Sequence, residues 1–223
     1  MPTETWVDSG KTTAPKKTDR ALAWVKNNRD TVIGGAVIAL AAALFTVYFL
    51  MHYQGTRETA WKNLFIAQQT GYGGNVPQAE KLLTEVETVY SNTTAAPYAT
   101  LTKGDLLFTQ GKFKEAGEEY ARITSGPDNL APFALYNLGK CQEAQGDLTG
   151  AQVQYTALLT KYPEHFMAPE AHYSMGHVQE LSGAKDVAKA TYEKIVLLYP
   201  DTSWAAQAKE RLTAGEQKAP AKK

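Results

Sequence analysis

The sequence predicts an all-α chain: a single N-terminal transmembrane helix, then a solenoid of helix-pair repeats closed by a C-terminal capping helix. Three observations carry this. Residues 31–53 contain no Asp, Glu, Lys or Arg. The rest of the chain repeats itself at intervals of 35 to 37 residues. Within each interval small residues, a large apolar residue and a turn glycine recur in the same order, the mark of a stacked helix-turn-helix array.

The apolar stretch comes first. A bilayer core of about 30 Å takes about 20 helical residues to cross, and residues 31–53 are enough. A cleaved signal peptide is the competing reading, because Ala41, Ala42 and Ala43 are small and the stretch lies near the N-terminus. Against cleavage, a hydrophilic tail precedes the stretch, the alanines fall inside the apolar run, and Phe45, Tyr48, Phe49 and Leu50 continue it. No cysteine at its end offers a lipid acceptor. The basic flank is N-terminal: Lys16, Lys17, Arg20, Lys26 and Arg29 against Arg57 and Lys62 on the other side. That asymmetry predicts a single-pass protein with a cytoplasmic N-terminus and an extracytoplasmic domain. Trp24 on one side and Tyr48, Tyr53 and Trp61 on the other suit rings at headgroup depth. Residues 1–30 read as a tail, mostly disordered, and residues 31–53 as the span.

The repeats follow. Setting residues 136–163 under residues 173–200 aligns Tyr136 with Tyr173, Gly139 with Gly176, Gly146 with Gly183, Ala151 with Ala188, Tyr155 with Tyr192 and Pro163 with Pro200, all at an offset of 37. An earlier copy places Gly104, Gly111, Ala116 and Tyr120 at 35 residues before Gly139, Gly146, Ala151 and Tyr155. The faintest has Ala67, Gly74, Val76, Ala79, Leu83 and Val86, 37 residues before Gly104, Gly111, Phe113, Ala116, Tyr120 and Ile123. Gly104, Gly139 and Gly176 then sit in first helices where a neighbouring helix comes close, and Gly111, Gly146 and Gly183 end those helices. Ala116, Ala151 and Ala188 mark the close crossing in the second helices, with Tyr120, Tyr155 and Tyr192 one turn later on the same face. Pro163 and Pro200 stop the second helices of the last two repeats.

These readings place repeats near 60–96, 97–131, 132–168 and 169–202 within a domain at 57–214. The capping helix is 203–214, with Ser203 as N-cap and Trp204, Ala208 and Leu212 facing the last repeat. Residues 215–223 read as a disordered tail. Residues 54–208 hold 12 Lys and Arg against 17 Asp and Glu, a difference of −5, which argues against nucleic acid as a partner. Cys141 is the only cysteine, so no intrachain disulfide forms.

The order of small, turn, small, aromatic and proline positions at a period near 34 resembles the tetratricopeptide repeat. More narrowly, ALAWVKNNRD, the span, RETAWKNLFIAQQ and the YATL and GDLLFTQGKFKEA segments resemble the bitopic ancillary subunits of the bacterial Sec translocon. That family implies repeats in the periplasm, held by an inner-membrane anchor near the SecYEG channel and periplasmic chaperones or clients. Residues 171–212 are instead similar to the repeat domain of the periplasmic cell-division coordinator that works with the Tol-Pal system. Either resemblance implies an adaptor with protein partners; a structural subunit of another envelope complex is the alternative.

No motif points to catalysis, to a cofactor or to a small-molecule substrate. His172 and His177 are five apart, which does not align two metal ligands on one helical face. Cys141 beside Gly139 reads as a small buried hydrophobe, and Glu115, Glu118 and Glu119 as a solvated face. Function then falls to surfaces. By resemblance, the stacked first helices line a concave protein-binding groove with Tyr98, Leu101, Asp105 and Phe108, then Phe133, Tyr136, Asn137 and Lys140, then Tyr173, Ser174 and His177. Asp105 and His177 stand where a basic clamp for acidic chaperone tails would need amide or basic donors. In the span, Gly35, Ala39 and Ala43 recur every four residues, a spacing that permits close helix packing in lipid.

Overall fold

The computed structural model describes residues 17–217 and divides the chain into two compact units, meeting between Gln54 and Gly55. Among the described residues every regular element is a helix.

The first unit holds α1 (Lys17–Asn27) and the N-terminal part of α2 (Arg29–Tyr72). Part of the tail expected to be disordered is therefore helical; residues 1–16 lie outside the described residues. The reason is spacing: Ala21, Leu22, Trp24 and Val25 follow a helical period, with Asp19 in the first turn and Lys26 in the last, where each charge complements the helix dipole. In α2, residues 31–53 form an uninterrupted helical stretch of about 34 Å at 1.5 Å per residue, long and apolar enough to cross a membrane. Its apolar side chains are exposed all round, the reverse of a core helix. The Thr46 hydroxyl donates to the Ala42 carbonyl at 2.8 Å, so that polar group is satisfied within the helix.

The second unit stacks helices in antiparallel pairs. Residues 55–72 of α2 pair with α3 (Val76–Val89), α4 (Ala95–Thr109) with α5 (Phe113–Ala121), α6 (Ala131–Ala144) with α7 (Leu148–Lys161), and α8 (Ala168–Leu181) with α9 (Lys185–Leu198). Helix α10 (Ser203–Gln217) closes the stack, so three residues expected in the C-terminal tail prolong it; residues 218–223 lie outside the described residues. Packing runs between sequence neighbours, and small clusters of core side chains recur along the stack in place of one central core.

Each pair is fixed by the same device. A Cβ on Gly104, Gly139 or Gly176 would stand 2.6, 2.6 or 2.7 Å from the ring of Tyr120, Tyr155 or Tyr192, so the tyrosine lies flat on bare backbone. The first pair has Ala67 and Leu83 at the equivalent positions, both buried: a larger residue on one helix is matched by a smaller one on the other. The turns between paired helices pass through Gly111, Gly146 and Gly183 at φ of 75°, 79° and 81°. At Gly146 the glycine N–H donates to the Glu143 carbonyl at 3.0 Å and Asp147 N–H to the Gln142 carbonyl at 2.8 Å, the glycine-dependent helix ending. The next helix starts at once, because the Asp147 carboxylate accepts from Gly150 N–H at 2.9 Å.

Two sequence readings are corrected. The cap of α10 is Thr202, whose hydroxyl accepts from Ala205 N–H at 3.2 Å; Ser203 is already helical. Glu115 and Glu118 are exposed, but Glu119 is not part of a solvated face. It pairs with Lys103 at 2.6 Å and with Arg122, and these two cations also hold the nearly buried Glu87 of α3 at 3.7 and 2.9 Å. The cluster bolts the first repeat to the second, because a carboxylate leaving water at a helix junction requires cations beside it.

Candidate binding groove

The first helix of each pair presents one face, read off the repeat offset, and four positions stack across it. One row is Trp61, Tyr98, Phe133 and Glu170; the next is Gln68, Asp105, Lys140 and His177. Side-chain contacts tie consecutive helices along these rows. The Trp61 and Tyr98 rings lie 5.1 Å apart, and the Gln68 amide donates to the Thr102 hydroxyl at 3.0 Å. The Asn137 amide donates to Asp105 at 3.3 Å, and the Tyr136 hydroxyl to Glu170 at 2.8 Å.

Beneath the face runs a ladder of carboxylates. Tyr120 donates to Asp105 at 2.7 Å, Tyr155 to Glu143 at 3.1 Å and Tyr192 to Glu180 at 3.1 Å. A donor from the next helix meets each: Asn137 at Asp105, His177 Nδ1 at 2.9 Å from Glu143, and Arg211 at 3.5 Å from Glu180. Lys140 adds a contact to Glu143 at 3.3 Å. Burial raises the Asp105 carboxyl above its ordinary range, against the opposing bond from Tyr120. Burial, and then the neighbouring carboxylates, drive the Tyr120, Tyr155 and Tyr192 phenols far upward, so they stay protonated donors. The ladder links consecutive repeats, and each of its three carboxylates, Asp105, Glu143 and Glu180, meets a donor.

An open concavity of about 630 Å³ is lined by Phe108, Thr109, Gly111, Phe113, Lys140, Glu143, Ala144 and Leu181. It draws on three consecutive repeats. Phe108 and Phe113 pack edge to face at 5.1 Å and form an apolar wall; Leu181 stands exposed opposite, and Lys140 with Glu143 supply polar groups between them. A site of this kind accepts an apolar side chain flanked by polar groups, as an extended peptide or an amphipathic helix offers.

The remaining sequence-derived groove residues are distributed among neighbours. Tyr98 lies on Trp61 and its hydroxyl accepts from the Asn129 amide at 2.7 Å. Phe133 packs on His165 and Phe166 at 5.6 and 5.7 Å, in the connection before α8. Tyr136 lies 5.7 Å from Tyr155 and Tyr173 lies 5.7 Å from Tyr192 and 5.3 Å from Trp204, and Ser174 is buried beside the Tyr136 hydroxyl. Leu101 packs on the cluster of Leu107, Ala116, Tyr120 and Cys141. The sequence reading lines one groove with Tyr98, Phe108, Phe133 and Tyr136; in the structure each of these rings packs on a different neighbour. Phe108, Asp105, Asn137, Lys140 and His177 remain joined through the cavity wall and the ladder.

Sequence reasoning missed Trp61, Gln68, Glu143 and Glu170 on this face, and Phe113 and Leu181 in the cavity lining. Trp61 stands 37 residues before Tyr98, the offset that defines the first repeat, so that signal was present. Phe113 belongs to a second helix and reaches the cavity only because α5 starts directly after the Gly111 turn. His172 and His177 diverge: His172 lies 6.0 Å from Tyr199 and His177 bonds Glu143. Cys141 is fully buried, and burial, then Asp105, push its thiol up to about 12.

Comparison with known proteins agrees with this architecture. The family described as tetratricopeptide repeat-like domain matches residues 22–214. Among solved structures, a tetratricopeptide repeat protein from Parabacteroides merdae superposes with a TM-score of 0.60 at 20% identity, over 72% of this chain and 62% of that one. The apo form of RapI gives a TM-score of 0.63 at 12% identity, over 69% and 47%. Nearly identical repeats of a putative kinesin light chain from Podosopora anserina give 0.57 at 15%, over 72% and 87%. The chain thus spans less than two thirds of the first two structures. At these identities the likeness is one of fold. No curated protein matches the sequence.

Proposed function

The chain belongs to the tetratricopeptide repeat-like domain family, and from that premise we propose that it is a membrane-anchored adaptor that binds other proteins through the inner face of its repeats. The observation that carries this reading is the cavity at Phe108, Phe113, Lys140 and Leu181, built by three consecutive repeats and walled by apolar side chains. A binding role needs no reacting group, and the ladder carboxylates are committed to tyrosine and next-helix donors. The apolar stretch of α2 supplies the anchor. The excess of Lys and Arg on its N-terminal flank supports a cytoplasmic N-terminus, with the repeats across the bacterial inner membrane in the periplasm.

Within that setting the adaptor links the Sec translocon to periplasmic chaperones or clients. The support is the arrangement of a basic tryptophan-containing tail, one span and repeats that begin with little linker. The second reading, a fixed subunit of another envelope complex, has its own support: Gly35, Ala39 and Ala43 are exposed small residues that recur every four positions along the helix. Co-purification in mild detergent separates the two. Sub-stoichiometric translocon and chaperones favour the adaptor; a stoichiometric complex that survives substitution of the groove favours the subunit. A periplasm-dependent reporter fused after Lys223 should be active, and activity of a cytoplasm-dependent reporter alone would overturn the orientation.

A further inference from the structure

We propose that α1 is a lipid-surface helix, which lies on the anionic membrane face at the N-terminal end of the span and fixes how that end meets the bilayer. The inference rests on the anchor reading given above.

At 100° per residue, Trp24, Ala21, Val25 and Leu22 of α1 fall within an arc of about 160°. Leu22, Trp24 and Val25 are 60, 58 and 39% exposed among the described residues. Arg20 borders the arc on one side and Lys26 on the other, Lys17 and Thr18 fall inside it only in the first turn, and Asp19, Ala23 and Asn27 occupy the opposite face. An apolar strip edged by long cationic side chains suits the boundary between headgroups and acyl chains, where the strip enters the lipid and the cations reach the phosphates. A soluble partner would account for the apolar strip but not for both bordering cations. With Lys17 and Arg29, the stretch from 17 to 29 carries four cations and one acidic residue, the charge that anionic lipid attracts.

Position favours the same occupant. Only Asn28 separates α1 from α2, and the apolar run begins at Thr31. At 1.5 Å per residue, Leu22 to Val25 lie roughly 9 to 14 Å of chain from that run, within reach of the headgroup layer. The chain turns at Asn28, where Asn27 and Asn28 are both poor helix formers; the Asn28 backbone N–H and its side-chain amide share the Trp24 carbonyl at 3.0 and 2.8 Å, and Val32 N–H reaches the Asn28 carbonyl at 3.0 Å, so the helical bonding is kept but is weakest here. A bend there lets the whole strip turn onto the surface.

The test uses the full chain in lipid vesicles. In a Cys141→Ala background, single cysteines replace Asp19, Leu22, Ala23 and Val25, with Leu44→Cys as a marker inside the span. Each is spin-labelled, and its collision rates with oxygen and with a water-soluble nickel reagent are measured in phosphatidylcholine vesicles with and without phosphatidylglycerol. With phosphatidylglycerol, oxygen should dominate at 22 and 25 and the nickel reagent at 19 and 23. The contrast should shrink in pure phosphatidylcholine and on adding Arg20→Gln with Lys26→Gln. Uniform nickel access at all four positions, with 44 lipid-buried, would overturn the proposal and leave the strip to a protein partner. Equal contrast in both vesicle types would overturn its preference for anionic lipid. Nickel access at 44 would instead sink the anchor reading, and this inference with it.

Discussion

Gly139→Ala adds one methyl group where the two helices of the third repeat touch. The new Cβ would stand 2.6 Å from Tyr155 Cε1 and 3.0 Å from both Cδ1 and Cζ. The ring has nowhere to go: Tyr155 is fully buried, bonded to Glu143 and packed on Tyr136. Overpacking of this kind costs about 1–3 kcal/mol. Opposing it, alanine is a better helix former than glycine by about 1 kcal/mol. Sterics should win, with a net loss of up to about 2 kcal/mol and a melting temperature lower by up to about 8 °C for a domain of this size. The assay is thermal unfolding by circular dichroism in a mild detergent. The first repeat suggests the compensating change, because it already carries Ala67 and Leu83 at these positions. Adding Tyr155→Leu to Gly139→Ala should therefore restore packing, with a favourable coupling of about 1 kcal/mol or more in the double-mutant cycle. A raised melting temperature in Gly139→Ala, or strict additivity in the cycle, would refute the glycine-tyrosine device.

Other outcomes follow from the same packing. Ala151→Glu forces a charge into the fully buried crossing of α7 and should cost several kcal/mol; an unchanged thermal midpoint would show the repeat register to be wrong. Residues 57–215 alone should be soluble and mostly helical, since their core clusters draw on no residue of the span; aggregation of the fragment would contradict this. His172 is held neutral, its pKa pulled from 6.5 down to about 4 by burial and then by Lys194. The folded value lies below the unfolded one, so its contribution is present above pH 6.5 and is lost as pH falls toward 4. Between pH 7 and pH 4.5 the wild type should lose about 2 kcal/mol more than His172→Phe, read from urea midpoints; equal losses would show that His172 is not buried neutral.

The repeat architecture was legible because its device is written in pairs. Gly139 with Tyr155 and Gly176 with Tyr192 keep both spacing and order, and Gly146 and Gly183 mark the turns between them. The groove was less legible, since a ring's destination depends on residues from other elements. Phe133 is claimed by His165 and Phe166, which lie in an irregular connection, and Tyr98 by Trp61 from the least similar repeat. Glu119 read as solvent-facing because its partners Lys103 and Arg122 come from the preceding helix and from the end of its own. Helix α1 was hidden for a different reason: the basic, alanine-containing composition of the tail outweighed a period carried by only four residues.

The inner face should bind partners and the second-helix face should not. A photo-crosslinking amino acid placed at Lys140 or Leu181, on the cavity wall, can be compared with one at Glu115 or Glu118, both exposed on α5. None of these four positions carries the core, so each variant should fold. After illumination of cells, the account predicts discrete crosslinked partners from Lys140 and Leu181 and none from Glu115 and Glu118. Partners captured from Glu115 and Glu118 while Lys140 and Leu181 stay silent would contradict it.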